Sequence, residues 1–285
     1  MRLQKDREKK EEQKVAIVTG SSSGIGQEIA LTLARNSFLT YSTMRNPMKG
    51  EYLKSLSDKE KLSLKIAQLD VTKETSVKDT IKSISAEATR IDILVNNAGY
   101  GLVGAFEDLQ MEEIKAQFET NLFGLIRTTQ AVLPIMRKQK SGTIVNISSG
   151  AGRFGFPGGS VYVSTKFAVE GLSESMSYEL EPFGIKVILI EPGFIKTNFQ
   201  QAMIRSQDPN SPYSQMMQKR AAVSNQFFQS GSAPELVAKV VLTAINNPNP
   251  NLRYLVGKDV EEWVKSKESM TDAEFHNMMA KDVSD

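Results

Sequence analysis

Val15-Ala-Ile-Val-Thr19-Gly20-Ser-Ser-Ser-Gly24-Ile-Gly26 passes from a short apolar run, through a glycine-rich turn, into a helical stripe made by Ile25, Ile29 and Leu33. A strand, a glycine loop and a helix in that order make a cradle for a nucleotide phosphate. Glycines let the backbone approach a pyrophosphate closely, and the helix N-terminus offers unpaired N–H groups and the positive end of its dipole. The spacing is Gly-x-x-x-Gly-x-Gly, which differs from the Gly-x-Gly-x-x-Gly of most dinucleotide-binding turns.

Outward from this unit the chain keeps alternating. Strands are predicted at Phe38–Met44, Leu62–Leu69, Ile91–Val95, Gly142–Ser148, Lys186–Glu191 and Arg253–Val256. Helices are predicted at Pro47–Leu56, at Ser76–Ala88 with Val77, Ile81 and Ile84 inward, at Met111 to about Arg137, and at Ser160–Glu181. Pro134 should bend the long helix, because proline lacks the donor that the helical ladder needs. Runs such as Val187-Ile-Leu-Ile190 suit strands buried on both faces. The rhythm predicts an α/β fold, a Rossmann-type doubly wound parallel sheet of about seven strands with helices on both faces. Thr197–Gly231 breaks the pattern, and Ser232-Ala-Pro-Glu235 reads as a capping box opening a helix to about Ile245. The expected organisation is a polar N-terminal extension over 1–14, one catalytic domain over 15–257 with a substrate lid at about 194–231, and a peripheral polar C-terminal segment over 258–285.

Composition narrows the chemistry. The 285 residues are 40% apolar and 24% charged with a net charge of +2, which gives no case for a nucleic-acid partner. Cysteine is absent and His276 is the single histidine, so thiol catalysis, histidine triads and Cys- or His-rich metal sites are excluded, and no metal is expected. No apolar run approaches the ~18 residues of a membrane span, and the polar first fourteen residues do not resemble a signal peptide. A cytoplasmic protein with no membrane span is expected.

Tyr162-Val-Ser-Thr-Lys166 places a phenol and an ammonium at i and i+4, on one helical face. The ammonium favours phenolate and should bring the tyrosine from ~10 toward neutrality, where it can exchange a proton with an alcohol. A small-residue loop beginning at Ser149 leads into this helix.

Together Thr19–Gly26, Asp70-Val71, Asn96-Asn97-Ala98-Gly99, Asn121 in Thr-Asn-Leu-Phe-Gly, Ser149, Tyr162-x-x-x-Lys166 and Pro192-Gly193 resemble the short-chain dehydrogenase/reductase family, from Val15 to about Val256. The run after Tyr162 looks like the branch containing 17β-hydroxysteroid and retinol dehydrogenases. The resemblance implies that Tyr162 is the acid/base, that Ser149 hydrogen-bonds the substrate oxygen, and that Lys166 tunes the phenol and holds the nicotinamide ribose. Asn121 would keep a helix carbonyl available to a proton-relaying water, while Ser148 would only end a strand. The cofactor would be lined by Gly20, Ser22, Ser23, Gly24, Ile25 and Gly26, with Asp70 and Val71 at the adenine. Asn97, Ala98 and Gly99 would lie along the dinucleotide, and Pro192, Gly193 and Thr197 would flank the carboxamide. The family also implies a homodimer or homotetramer, paired through the long helices.

At the end of the second strand, Met44 stands where NAD-preferring members usually carry Asp, and Arg45 follows it. An arginine there can meet a ribose 2′-phosphate, with Ser21 and Ser22 adding hydroxyls, so NADP(H) is expected over NAD(H). Ser23 occupies a loop position at which many NADP-preferring members are basic. The lid carries Phe194, Ile195, Phe199, Met203, Ile204, Tyr213, Met216, Met217, Phe227 and Phe228, which suggests an apolar carbonyl or alcohol substrate. Tyr100, Gly101, Leu102 and Val103 should form the facing wall. The expected function is an NADPH-dependent carbonyl reductase or alcohol dehydrogenase; a catalytically idle dinucleotide sensor on the same fold is the alternative.

Overall fold

Strand β1 (Val15–Thr19) is buried at every position and lies inside the sheet, third of its seven strands, with its side chains feeding two cores. Val15 and Ile17 point to one face and Ala16 and Val18 to the other, as the two-residue period of a strand requires. The computed structural model describes residues 13–199, 203–205 and 210–284. The expectation for residues 1–14 falls largely outside them.

Around β1 lie β2 (Leu39–Met44), β3 (Leu64–Gln68), β4 (Ile93–Asn96), β6 (Gly142–Ile147), β7 (Ile185–Pro192) and β9 (Arg253–Val256). They form a seven-stranded parallel sheet in the order β3-β2-β1-β4-β6-β7-β9, the Rossmann-type arrangement. The order reverses between β1 and β4, paired as Ala16↔Ile93, so their C-terminal ends diverge and open a crevice. A separate short pair joins β5 (Leu102–Val103) to β8 (Ile204–Arg205).

One face of the sheet is covered by α1 (Gly24–Arg35) and α8 (Pro234–Asn246), through Ile29, Leu33, Val237 and Val241. The other is covered by α3 (Glu74–Ala88), α5 (Gly124–Gln139) and α6 (Ser160–Leu180), through Ile81, Val132, Met136 and Met176. Helix α2 (Glu51–Glu60) packs Leu53 at the β2–β3 edge. Among the described residues no helix is long and apolar enough to cross a membrane.

Four expectations need correction. The long helix is α4 (Met111–Phe118) and α5 separated by a π-helical turn at Glu119–Phe123, and Pro134 lies inside α5 without ending it. The interruption falls on Asn121, whose side chain is bonded to the Tyr100 backbone of a neighbouring loop and to Thr165 of α6. The irregular lid contains a regular helix, α7 (Ser214–Ser230). Ser232 is no cap: Ala233 is the N-cap and Pro234 the first helical residue, while the Ser232 backbone bonds Phe194 and Lys196. The C-terminal residues form α9 (Lys258–Ser269) and α10 (Asp272–Ser284), which bury Val260, Val264 and Phe275 against Phe154 and Trp263. Val260, Trp263 and Val264 recur at helical spacing, a signal that the segment's overall polarity hides.

Candidate active site

The crevice widens into a cleft of about 1200 Å³ at the C-terminal ends of the central strands. Its first wall is the glycine loop. Gly20 and Gly24 have φ of +64° and +60°, the left-handed region that side chains resist. A methyl group on Gly26 would lie 2.3 Å from the Asn97 amide nitrogen and 2.8 Å from the Gly20 carbonyl oxygen. That amide donates to the Thr19 and Gly20 carbonyls at 3.0 Å each, clamping the loop to the end of β4. Ser23 precedes α1 with an extended backbone and its side chain makes no capping bond. The first-turn N–H groups are therefore left for a ligand, and the loop fits a dinucleotide pyrophosphate.

Ser22, Ser23, Ile25, Asp70, Val71, Asn97, Ala98 and Gly99 all line the cleft. Ser21 does not: it is fully buried, and its hydroxyl contacts Val18, Ser42 and Thr43 between β1 and β2. Asp70 accepts from the Thr72 amide at 3.0 Å and hydroxyl at 2.8 Å, which holds the turn after β3. Arg45 stands exposed at the rim, and Lys49 joins it from the next turn. No motif marks Lys49; its place four residues after Arg45 is the signal the sequence carries for it.

Ser149, Tyr162 and Lys166 converge on the opposite wall. The 150–152 turn sets Ser149, whose hydroxyl accepts from the Ala151 amide at 3.1 Å and points to the Pro192 carbonyl at 3.5 Å. The Lys166 ammonium donates to the Ile147 carbonyl at 2.9 Å and lies 5.7 Å from the centre of the Tyr162 ring. This corrects the expected phenolate. Burial pushes the Tyr162 phenol up to about 12, against the opposing pull of Ser149. Burial brings the Lys166 ammonium down to about 8, with the Glu170 charge acting the other way. Desolvation outweighs attraction because the ammonium is held on a carbonyl and not on the phenol oxygen.

Asn121 is buried beside this wall and does not line it. Its amide donates to the Tyr100 carbonyl at 2.9 Å and to Thr165 at 3.2 Å, and its carbonyl oxygen accepts from the Tyr100 amide at 3.1 Å. Asn121 thus fixes the β4 loop to α6. Asn96 plays a similar part deeper down, bonding Thr128, Thr129 and Asn146. Ser148 lines the cleft with a buried hydroxyl that has no hydrogen-bond partner.

Pro192, Gly193, Phe194, Thr197, Phe199 and Met203 border the far end. Phe199 lies 6.1 Å from Tyr162, ring centre to ring centre. Tyr100 and Val103 reach the cleft, whereas Gly101 is buried beneath Phe199 and Met203, and Leu102 packs into a core with Leu109 and Val161. Of the lid residues, Met217 and Phe228 face the cleft, while Tyr213 turns away to donate to Glu107 at 2.9 Å. Phe154, Phe156, Val260, Trp263 and Met279, which no sequence motif marks, complete the pocket. The last three come from the C-terminal helices, more than sixty residues beyond β7 in the chain.

With this geometry in place, the likeness to known proteins is specific. Residues 14–208 match the short chain dehydrogenase family. The uncharacterized oxidoreductase YusZ of Bacillus subtilis is 43% identical over 255 residues, covering 87% of this chain and 90% of that protein. A 3-ketodihydrosphingosine reductase of Bacteroides thetaiotaomicron is 34% identical over 268 residues, covering 93% and 94%. Among solved structures, a short-chain dehydrogenase from Streptomyces avermitilis superposes with a TM-score of 0.83 at 34% identity, covering 93% of this chain and 95% of its own. An alcohol dehydrogenase from Thermococcus sibiricus complexed with 5-hydroxy-NADP superposes with a TM-score of 0.72 at 26% identity, covering 86% and 97%.

Proposed function

The chain belongs to the short-chain dehydrogenase/reductase family and is an NAD(P)-dependent oxidoreductase acting on CH–OH and C=O groups; from that premise we propose that it is an NADPH-dependent carbonyl reductase or alcohol dehydrogenase for an apolar ketone, aldehyde or secondary alcohol. The observation behind the proposal is the convergence of Ser149, Tyr162 and Lys166 on one wall of a cleft whose other walls are the glycine cradle and an aromatic, methionine-rich lid. Bound nicotinamide supplies or receives the hydride. Tyr162 gives its hydroxyl proton to the carbonyl oxygen in reduction and takes it back in oxidation. A phenol pushed up to about 12 is protonated at neutral pH, the form that reduction requires. Ser149 donates to the same oxygen and stabilises the charge that develops on it. The Lys166 ammonium, 5.7 Å from the ring centre, lessens the penalty on the transient phenolate.

Arg45 and Lys49 at the rim support preference for NADP(H), since two cations can neutralise a 2′-phosphate that a ribose hydroxyl would not need. Phe156, Phe199, Met203, Met217, Phe228 and Trp263 support an apolar substrate, as does a relative named for 3-ketodihydrosphingosine. Exposed Phe123 and Phe167, on the π-helical turn and on α6, support the homodimeric or homotetrameric assembly included in the proposal. The test is a panel of apolar ketones, aldehydes and secondary alcohols assayed with NADPH and with NADH by nicotinamide absorbance. NADPH-linked turnover of the apolar members is expected. Tight NADPH binding with no turnover of any carbonyl or alcohol would favour the idle sensor instead.

A further inference from the structure

One helical turn beyond Lys166 on α6, Glu170 meets Glu191 of β7 across the Arg253 Nε nitrogen that both contact in the interior. Glu191 is 0% exposed and Glu170 6%. Three further elements face the pair. Arg253 of β9 donates through Nε to Glu170 at 2.9 Å, contacts Glu191 at 3.4 Å, and reaches Glu174 through Nη2 at 2.7 Å. Arg153, from the turn after Ser149, bonds Glu191 at 3.2 Å and Glu268 of α9 at 2.9 Å. On its own helix Glu170 acts on the charge of Lys166.

Two buried oxygens in this region lack partners, Glu170 Oε1 and Ser148 Oγ. They lie close together: a methyl group on Gly152 would be 3.2 Å from the first and 2.9 Å from the second. Two ionised carboxylates buried on one guanidinium nitrogen, one with an orphaned oxygen, are strongly disfavoured. Burial, and then the Glu170 charge, push the Glu191 carboxyl well above the usual range, while Arg153 and Arg253 pull it back. A single proton held between the two carboxyls answers the crowding of charge. It relieves the repulsion between the carboxylates, and it balances the four carboxylates of the cluster against Arg153, Arg253 and Lys166.

We propose that Glu170 and Glu191 share one proton, and that this carboxyl pair is a positioning device which sets, through its charge, the pH at which Lys166 loses its own proton. The inference rests on the reading of Lys166 as part of the reaction machinery. While the proton is shared, Glu170 offers Lys166 only part of its negative charge. Without Glu191, Glu170 ionises fully beside Arg253 and Lys166 keeps its proton to higher pH. Without Glu170, the charge supporting the ammonium is gone and Lys166 loses its proton at lower pH. Loss of packing alone would not move the two variants in opposite directions.

The test has two readouts that need no turnover. Infrared spectroscopy of the wild-type protein at neutral pH should show a protonated carboxyl C=O band that is lost at higher pH and is missing from Glu170→Gln and Glu191→Gln. A titration of carbon-13-labelled lysine, with Lys166 assigned by Lys166→Met, should move its midpoint down in Glu170→Gln and up in Glu191→Gln, each by about half a unit or more. If the proposed function also holds, the basic limb of the kcat/KM profile follows the same order. Absence of the band in the wild-type protein overturns the shared proton, and an unmoved Lys166 midpoint in a folded variant overturns its action on Lys166. A wild-type protein that shows both signals and reduces no carbonyl overturns the proposed function alone. If Glu191→Gln does not fold, the wild-type band and Glu170→Gln decide the matter.

Discussion

The Asp259 carboxylate accepts the Phe194 amide at 2.7 Å, so the first turn of a C-terminal helix holds the first residue of the lid. The same carboxylate would lie 2.3 Å from a methyl group on Gly193, which leaves no slack at the junction. Asp259→Ala frees this joint and leaves an amide without its charged partner. We expect a loss of about 1–3 kcal/mol in stability and a rise of about tenfold in KM for the carbonyl substrate. Denaturant unfolding and steady-state kinetics check the two parts.

Tyr162→Phe removes the phenol of the candidate catalytic wall and keeps the ring that packs against Phe199. Turnover should fall by about 10²–10⁴-fold, with NADPH affinity nearly unchanged. Kinetics and a fluorescence titration with NADPH measure these. Activity close to wild type would sink the assignment of the proton to this residue.

Arg45→Ala and Lys49→Ala each remove one rim cation. Each should raise KM for NADPH by about tenfold and leave KM for NADH where it was, because only the former carries the 2′-phosphate. Equal changes for both cofactors would show that the pair does not read that phosphate.

Lys166 gives a pH-dependent prediction with a definite sign. Burial lowers its ammonium from 10.5 to about 8, so between these values the unfolded chain binds more protons than the native one. Stability from this residue therefore rises with pH across the window and is lost as pH falls through about 8. Between about pH 8 and pH 10, each unit rise in pH should move the difference between wild type and Lys166→Met in favour of wild type by about 1.4 kcal/mol, and below that window the difference should level off. Urea unfolding at several pH values measures it. A difference that does not vary with pH would show that Lys166 is not desolvated in the native protein.

Local pattern specifies the sheet, because runs such as Val15–Val18 are apolar at consecutive positions and fit only where both faces are covered. It specifies the cradle as well, since Gly20, Gly24 and Gly26 stand where positive φ or close approach excludes a side chain. Ser149, Tyr162 and Lys166 were legible because they sit on one loop–helix unit, at spacings that a helix turns directly into neighbourhood. What those spacings could not convey was the balance at the site. Whether Lys166 lowers the Tyr162 phenol, or burial raises it, depends on distances to Ile147 and on the matter packed around both, which no local pattern encodes. The π-helical turn at Asn121, the closure of the pocket by Trp263 and the meeting of Glu170 with Glu191 arise in the same way. Each joins residues distant in the chain, so only the packing of whole elements against one another could decide it.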